Sequence, residues 1–180
     1  MRGTGEGLWV FGYGSLIWDP GFPVAERRIA RLHGWHRSFC MRSIHHRGTA
    51  EAPGLVLALD AAEGAHCDGV AFRVREGAEG DTIAQLRERE LISSAYLETR
   101  LMAEAEGARE VLAYVIDPGH VQYCGGLPLE EQARIIALAE GGRGTNRDYL
   151  WNTAAHLEEL GIGDADLSWL SARVRALCGT

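Results

Sequence analysis

The sequence predicts an α+β chain, and two observations carry that prediction. Short apolar, aromatic and β-branched runs bounded by Gly, Pro and Asp fill most of the first two thirds. One helix-period segment is embedded among them, and three more follow in the last third. A length of 180 residues, 46% of them hydrophobic and 24% charged, fits one soluble domain with room for a sizeable core. The expected domain covers residues 8–178, and residues 1–7 read as a flexible N-terminus.

The first expected strand is Leu8–Tyr13, a short apolar run that stops at Gly14. Ile29–Met41 follows, with imperfect alternation. Leu55–Leu59 is bounded by Pro53-Gly54 and Asp60. Gly69–Val74 is a separate strand after a turn rich in Gly and Asp. Thr99–Ala105 and Glu110–Ile116 complete the set. The last carries apolar residues on both faces, which implies burial on both sides. The embedded helix is Asp81–Ile92. Pro128–Glu140 has proline in its first turn, early acids Glu130 and Glu131, and a Gly141-Gly142 stop. Thr145 caps a helix to Leu160 that ends at Gly161. Asp164 caps the last helix, through Leu177, ending at Gly179.

Composition removes several chemistries. The chain has no lysine, and its 18 basic side chains are all arginine, against 8 Asp and 17 Glu. Schiff-base catalysis, a lysine-bearing P-loop and an SxxK nucleophile are therefore excluded. The net charge of -7 argues against a nucleic-acid partner. The apolar runs are too short to span a membrane. Residues 1–7 have no apolar core of a secretory signal. Cysteines 40, 67, 124 and 178 form no CxxC and read as reduced cytoplasmic thiols. With 23 glycines, many tight turns and a glycine-lined site are expected.

Two segments stand out as candidate chemistry. In Gly12-Tyr13-Gly14-Ser15-Leu16, at the end of the first strand, glycines permit close backbone approach, and successive N–H groups can form an anion-binding concavity. A strand-end turn explains the same residues. This is neither GxGxxG nor GxSxG, and Ile17–Pro23 is not expected to open a helix, so a dinucleotide site and a Ser15 nucleophile are disfavoured. The second candidate is Glu90. At about 100° per residue it falls within the apolar arc of Ile83, Leu86 and Leu91. A carboxyl group there suits general acid/base work; a buried ion pair with Arg87 or Arg89 is the alternative.

Other candidates are weaker. Adjacent His45 and His46 point to opposite faces of a strand, so no metal site is expected. Arg47 can grip a carboxylate bidentately, or lie in a surface ion pair. Tyr96, Tyr123 and Tyr149 are possible hydroxyl donors. Arg143, Thr145 and Arg147 surround a helix start that suits an anion or simply a cap.

Trp9-Val10-Phe11-Gly12-Tyr13-Gly14-Ser15-Leu16-Ile17-Trp18 resembles the N-terminal signature of the ChaC family, the glutathione-specific γ-glutamylcyclotransferases. The similarity continues through His46-Arg47-Gly48, Pro53-Gly54-Leu55-Val56 and Gly69-Val70-Ala71-Phe72-Arg73. It recurs at Arg89-Glu90 with Tyr96, at Tyr123 with Pro128-Leu129-Glu130, and at Gly144–Leu150. It covers residues 8 to 175, in order. The resemblance implies a small mixed β-barrel with flanking helices, the γ-glutamylcyclotransferase-like fold. It implies a substrate cradle at Phe11, Gly12, Tyr13, Gly14, Ser15 and Leu16, and a catalytic glutamate at Glu90. Arg47, Tyr96 and Tyr123 are the further substrate contacts expected. The family often has glycine where Ser94 stands here, a departure that bears on substrate preference.

The chemistry implied needs no cofactor and no metal. The α-amine of a γ-glutamyl group attacks its own γ-carbonyl, giving 5-oxoproline and, from glutathione, cysteinylglycine. Glu90 is expected to take the amine proton and return one to the leaving nitrogen. Two rivals are an enzyme for other γ-glutamyl amino acids or γ-glutamylamines, and a non-catalytic regulator that binds a small anion.

Overall fold

The computed structural model describes residues 7–91 and 95–179, arranged in two compact units. The first unit takes the chain up to Arg37 together with Leu59–His120. The second takes Ser38–Ala58 together with the chain from Val121 onward.

Five strands form a closed barrel: β1 (Trp9–Gly12), β2 (Val24–Ser43), β3 (Gly54–Val74), β4 (Tyr96–Glu104) and β5 (Ala108–Ile116), in the order β1-β3-β2-β4-β5, with the end of β2 from Ser38 and the start of β3 up to Ala58 counted in the second unit. β1 runs antiparallel to β3, with Trp9 opposite Arg73 and Gly12 opposite Val70, and parallel to β5 through Val10 and Leu112. All four residues of β1 are buried. The outer side of Trp9 is covered by the guanidinium groups of Arg109 and Arg28, 4.3 and 5.8 Å from the ring centre. β5 is buried at every position from Val111 to Ile116, as its two apolar faces predict.

Two sequence expectations are corrected here. Leu55–Leu59 and Gly69–Val74 are not separate strands but parts of one 21-residue strand, β3. The Gly- and Asp-rich stretch between them stays in the ladder because Gly64 takes φ 82° without steric cost, so it bends the strand rather than ending it. And Ser15–Trp18 does form a helical turn, α1: Ile17 N–H donates to Gly14 O at 2.9 Å and Asp19 N–H to Ser15 O at 2.8 Å. Pro20 disfavours a helical Asp19, which is why the turn goes no further.

α2 spans Glu79–Glu90, with Glu79 and Asp81 in the first turn and Arg87 and Arg89 in the last, each suited to the helix dipole. It starts two residues before the expected Asp81. Its expected end, Ile92, lies outside the described residues, as do Ser93 and Ser94.

The second unit holds α3 (Leu129–Leu138), α4 (Asn146–Glu159) and α5 (Ala165–Cys178). Their buried faces follow helical spacing: Ala133 and Ile136; Tyr149, Leu150, Thr153 and Leu157; Leu167, Leu170 and Val174. The caps read from the sequence are present. Thr145 accepts from Asp148 N–H at 3.3 Å, and Asp164 from Leu167 N–H at 3.0 Å. Gly179 is left-handed at the end of α5. α3 stops at Leu138, before the expected Gly141-Gly142. Glu140–Gly141 (β6) pairs instead with Gly144–Thr145 (β7) in a small hairpin.

Among the described residues, no helix is long and apolar enough to cross a membrane. Among the described residues, Cys40, Cys67, Cys124 and Cys178 form no disulfide.

Candidate active site

The glycine turn closes β1 inside the first unit. Phe11, Tyr13 and Leu16 are buried side chains, and Ser15 is half-buried. Gly12 has no room for a side chain: a Cβ there would lie 2.9 Å from Phe72 Cε2 and 3.2 Å from Leu16 Cβ. Gly69 on β3 passes so close that its own Cβ would strike Gly12 O and the Phe11 ring. The turn is thus held by steric fit on both sides.

Tyr13 anchors the turn. Its ring stacks on Phe11, with centroids 6.5 Å apart, and its hydroxyl donates to Tyr114 O at 2.9 Å. The buried Arg37 donates through Nε to Tyr13 O at 2.7 Å, and through Nη2 to Asp68 O.

Glu90 is the last residue of α2 and lies one and two turns beyond Leu86 and Thr82, both buried. Its side chain is 15% exposed, between core and solvent, as the apolar arc predicts. Arg89 connects it to the turn. Arg89 Nε is 3.6 Å from Glu90 Oε1, Nη2 donates to Ser15 Oγ at 3.1 Å, and Nη1 donates to Asp19 O at 2.7 Å. The ion pair weighed as the alternative for Glu90 therefore exists, and the same arginine reaches the glycine turn.

One neighbour of Glu90 was missed at the sequence level. Tyr114 on β5 is buried, and its hydroxyl donates to Glu98 Oε1 at 2.9 Å. Burial, the Glu98 carboxylate and the field of Glu90 all raise its pKa well above that of an ordinary tyrosine. Glu98 is held in turn by a bidentate pair with Arg87, 2.9 Å at each contact, which lowers its pKa. The only signal for Tyr114 in the sequence is a tyrosine on a doubly buried strand. Its partner follows from the β4–β5 register, which places Glu98 opposite Tyr114. Tyr96 heads β4, opposite Ile116.

Arg47 and Tyr123 belong to the second unit. Arg47 donates to Thr145 O at 3.1 Å and lies 5.5 Å from the ring centre of Tyr149. Burial lowers its pKa, the ordinary penalty on a buried cation. Tyr123 pairs with Met41 in an isolated antiparallel bridge, and its hydroxyl occupies the space that a Cβ on Gly125 would take. Asn146, fully buried, mimics a strand: it donates to Leu55 O at 2.8 Å and accepts from Leu55 N–H at 2.7 Å. The first unit therefore joins Phe11–Leu16 and Glu90 through Arg89, while Arg47 and Tyr123 are organised around Tyr149 and Met41 in the second.

A family model described as ChaC-like protein matches residues 8–177. The chain is 38% identical over 172 residues to an Escherichia coli protein named glutathione-specific gamma-glutamylcyclotransferase, covering 94% of this chain and 74% of that one. It is 38% identical over 176 residues to gamma-glutamylcyclotransferase 2-3 of Arabidopsis thaliana, covering 93% and 88%. It is 31% identical over 163 residues to the human glutathione-specific gamma-glutamylcyclotransferase 1, covering 88% and 73%. A crystal structure of a yeast γ-glutamylcyclotransferase specific to glutathione has the same fold, with a TM-score of 0.86, 95% of this chain and 96% of that one covered, and 23% identity.

Proposed function

The chain belongs to the ChaC-like family, and from that premise we propose that it is a γ-glutamylcyclotransferase acting on glutathione in the cytoplasm, with Glu90 as its acid/base. The observation that carries the catalytic part is the placement of Glu90: a carboxylate at the rim of the core, ion-paired to an arginine that also holds Ser15.

The reaction balances without a co-reactant. The substrate ammonium loses a proton to Glu90 and becomes a nucleophile. The α-nitrogen forms a bond to the γ-carbon, and the bond from that carbon to the cysteinyl nitrogen breaks. The two protons shed by the ammonium end on the leaving amine, with Glu90 as carrier. Because the attack is intramolecular, much of the rate gain comes from holding the amine against the carbonyl. The main-chain N–H groups of the Tyr13–Leu16 turn are the donors for the α-carboxylate or the developing oxyanion. Tyr96 is a further proposed substrate contact in the first unit.

Incubation with reduced glutathione and mass detection of 5-oxoproline tests this reading. Parallel rates on γ-glutamyl-alanine test its specificity: glutathione is expected to be the preferred substrate, and equal or faster turnover of γ-glutamyl-alanine contradicts that part.

A further inference from the structure

Arg37 is a buried cation that donates to two main-chain carbonyls. It is 5% exposed, yet its guanidinium is directed at the main-chain carbonyls of Tyr13 and Asp68. Burying a guanidinium is expensive unless its donors and charge are met. The Asp68 carboxylate helps to meet the charge, and is itself held by Arg31 through contacts of 2.7 and 3.1 Å. A row of side chains thus runs from Arg31 through Asp68 and Arg37 to the glycine turn.

The consequence follows from peptide geometry. In a trans peptide the carbonyl and the next N–H point to opposite sides. Fixing the Tyr13 carbonyl on Arg37 therefore fixes the direction of the Gly14 N–H, away from the guanidinium. A charge-assisted bond to that carbonyl also polarises the peptide and strengthens the same N–H as a donor. Glycine by itself would leave this peptide free to rotate.

We propose that Arg37 is a positioning residue, one that aims the Gly14 N–H at the α-carboxylate of the γ-glutamyl group without touching the substrate itself. This rests on the reading of the chain as a γ-glutamylcyclotransferase. A carboxylate is present in the ground state as well as the transition state, so loss of its donor weakens substrate binding more than turnover.

The test compares wild type with Arg37→Gln and Arg37→Lys. Glutathione KM and kcat come from 5-oxoproline release, and the inhibition constant from 4-aminobutyryl-cysteinylglycine, which is glutathione without its α-carboxylate. In folded Arg37→Gln, KM for glutathione rises at least tenfold, kcat stays within threefold, and the inhibition constant of the decarboxylated analogue stays within threefold. Arg37→Lys, which keeps the charge but loses the fork, shows an intermediate KM. General damage to the turn moves KM and the inhibition constant together, and that result, or an unchanged KM, overturns the inference. Failure of both variants to fold by thermal melting makes Arg37 a stability residue and overturns it too. Wild type that releases no 5-oxoproline sinks the activity reading instead.

Discussion

Arg89 and Ser15 are joined by a hydrogen bond of 3.1 Å between the guanidinium and the hydroxyl, across 74 residues of sequence. The same guanidinium lies beside the Glu90 carboxylate. The end of α2 is therefore registered on the glycine turn by one side chain, which touches both the proposed base and the proposed anion cradle.

Replacing Arg89 tests that link. Arg89→Ala removes the contacts to Ser15, Asp19 and Glu90 at once. The Arg89–Glu90 pair is half-buried, at 22% and 15% exposure, so removing one partner is expected to cost about 1–3 kcal/mol in a thermal melt. Its kcat/KM on glutathione is expected to fall about 10–100-fold, the size of effect that a misplaced catalytic group produces. Steady-state 5-oxoproline release beside a thermal melt measures both.

Gly12→Ala is expected to be worse for activity than for folding. The added methyl comes within 2.9 Å of the fully buried Phe72 ring and 3.2 Å of Leu16 Cβ, side chains rather than main chain, so the ring must shift to admit it. Overpacking of this kind costs about 1–3 kcal/mol. The turn shifts with it, and turnover is expected to drop about tenfold or more. Denaturant unfolding and glutathione kinetics on one preparation separate the two effects.

In the second unit, Asn146→Ala leaves the Leu55 N–H and carbonyl without their partner in the core. Each unsatisfied buried group costs about 1–3 kcal/mol, so a loss of about 2 kcal/mol or more is expected in denaturant unfolding. Asn146→Asp keeps the acceptor but loses the donor and adds a charge, and is expected to be no better.

Glu130 supplies a pH-dependent contact between α3 and α5. Arg173 holds it through contacts of 2.8 and 2.9 Å, and Arg134 through one of 3.0 Å, which lowers its pKa from 4.5 to about 2. A lowered folded-state pKa gives stability that is fully present above pH 4.5 and lost as the pH falls toward 2. Glu130→Gln is therefore expected to melt below wild type at pH 7. The gap should close progressively below pH 4.5. A gap that persists unchanged to pH 2.5 contradicts this account.

The helices were largely legible because their signals are local. Thr145, Asp164 and Gly179 act within one turn of where they stand in sequence, and each cap is found there. The half-buried position of Glu90 was legible for the same reason, since Leu86 and Glu90 share a helix face whatever surrounds them. The continuity of β3 was not, because Gly64 reads equally as a turn or a bend until its partner strands are known. The contacts of Tyr114 and Arg37 were not legible at all. They run to Glu98 through strand register, and to the Tyr13 and Asp68 carbonyls 24 and 31 residues away. Long-range partners leave no mark on local composition.

The most direct test of the central claim is turnover of reduced glutathione by wild type and Glu90→Gln, with 5-oxoproline detected by mass and glutathione binding followed by calorimetry. Wild type is expected to release 5-oxoproline and cysteinylglycine in equal amounts, and the variant to bind glutathione within a few-fold of wild type while losing at least about 10²-fold in kcat, the lower end of what a general acid/base contributes. Near wild-type turnover by a folded Glu90→Gln contradicts the assignment of Glu90 as the proton carrier.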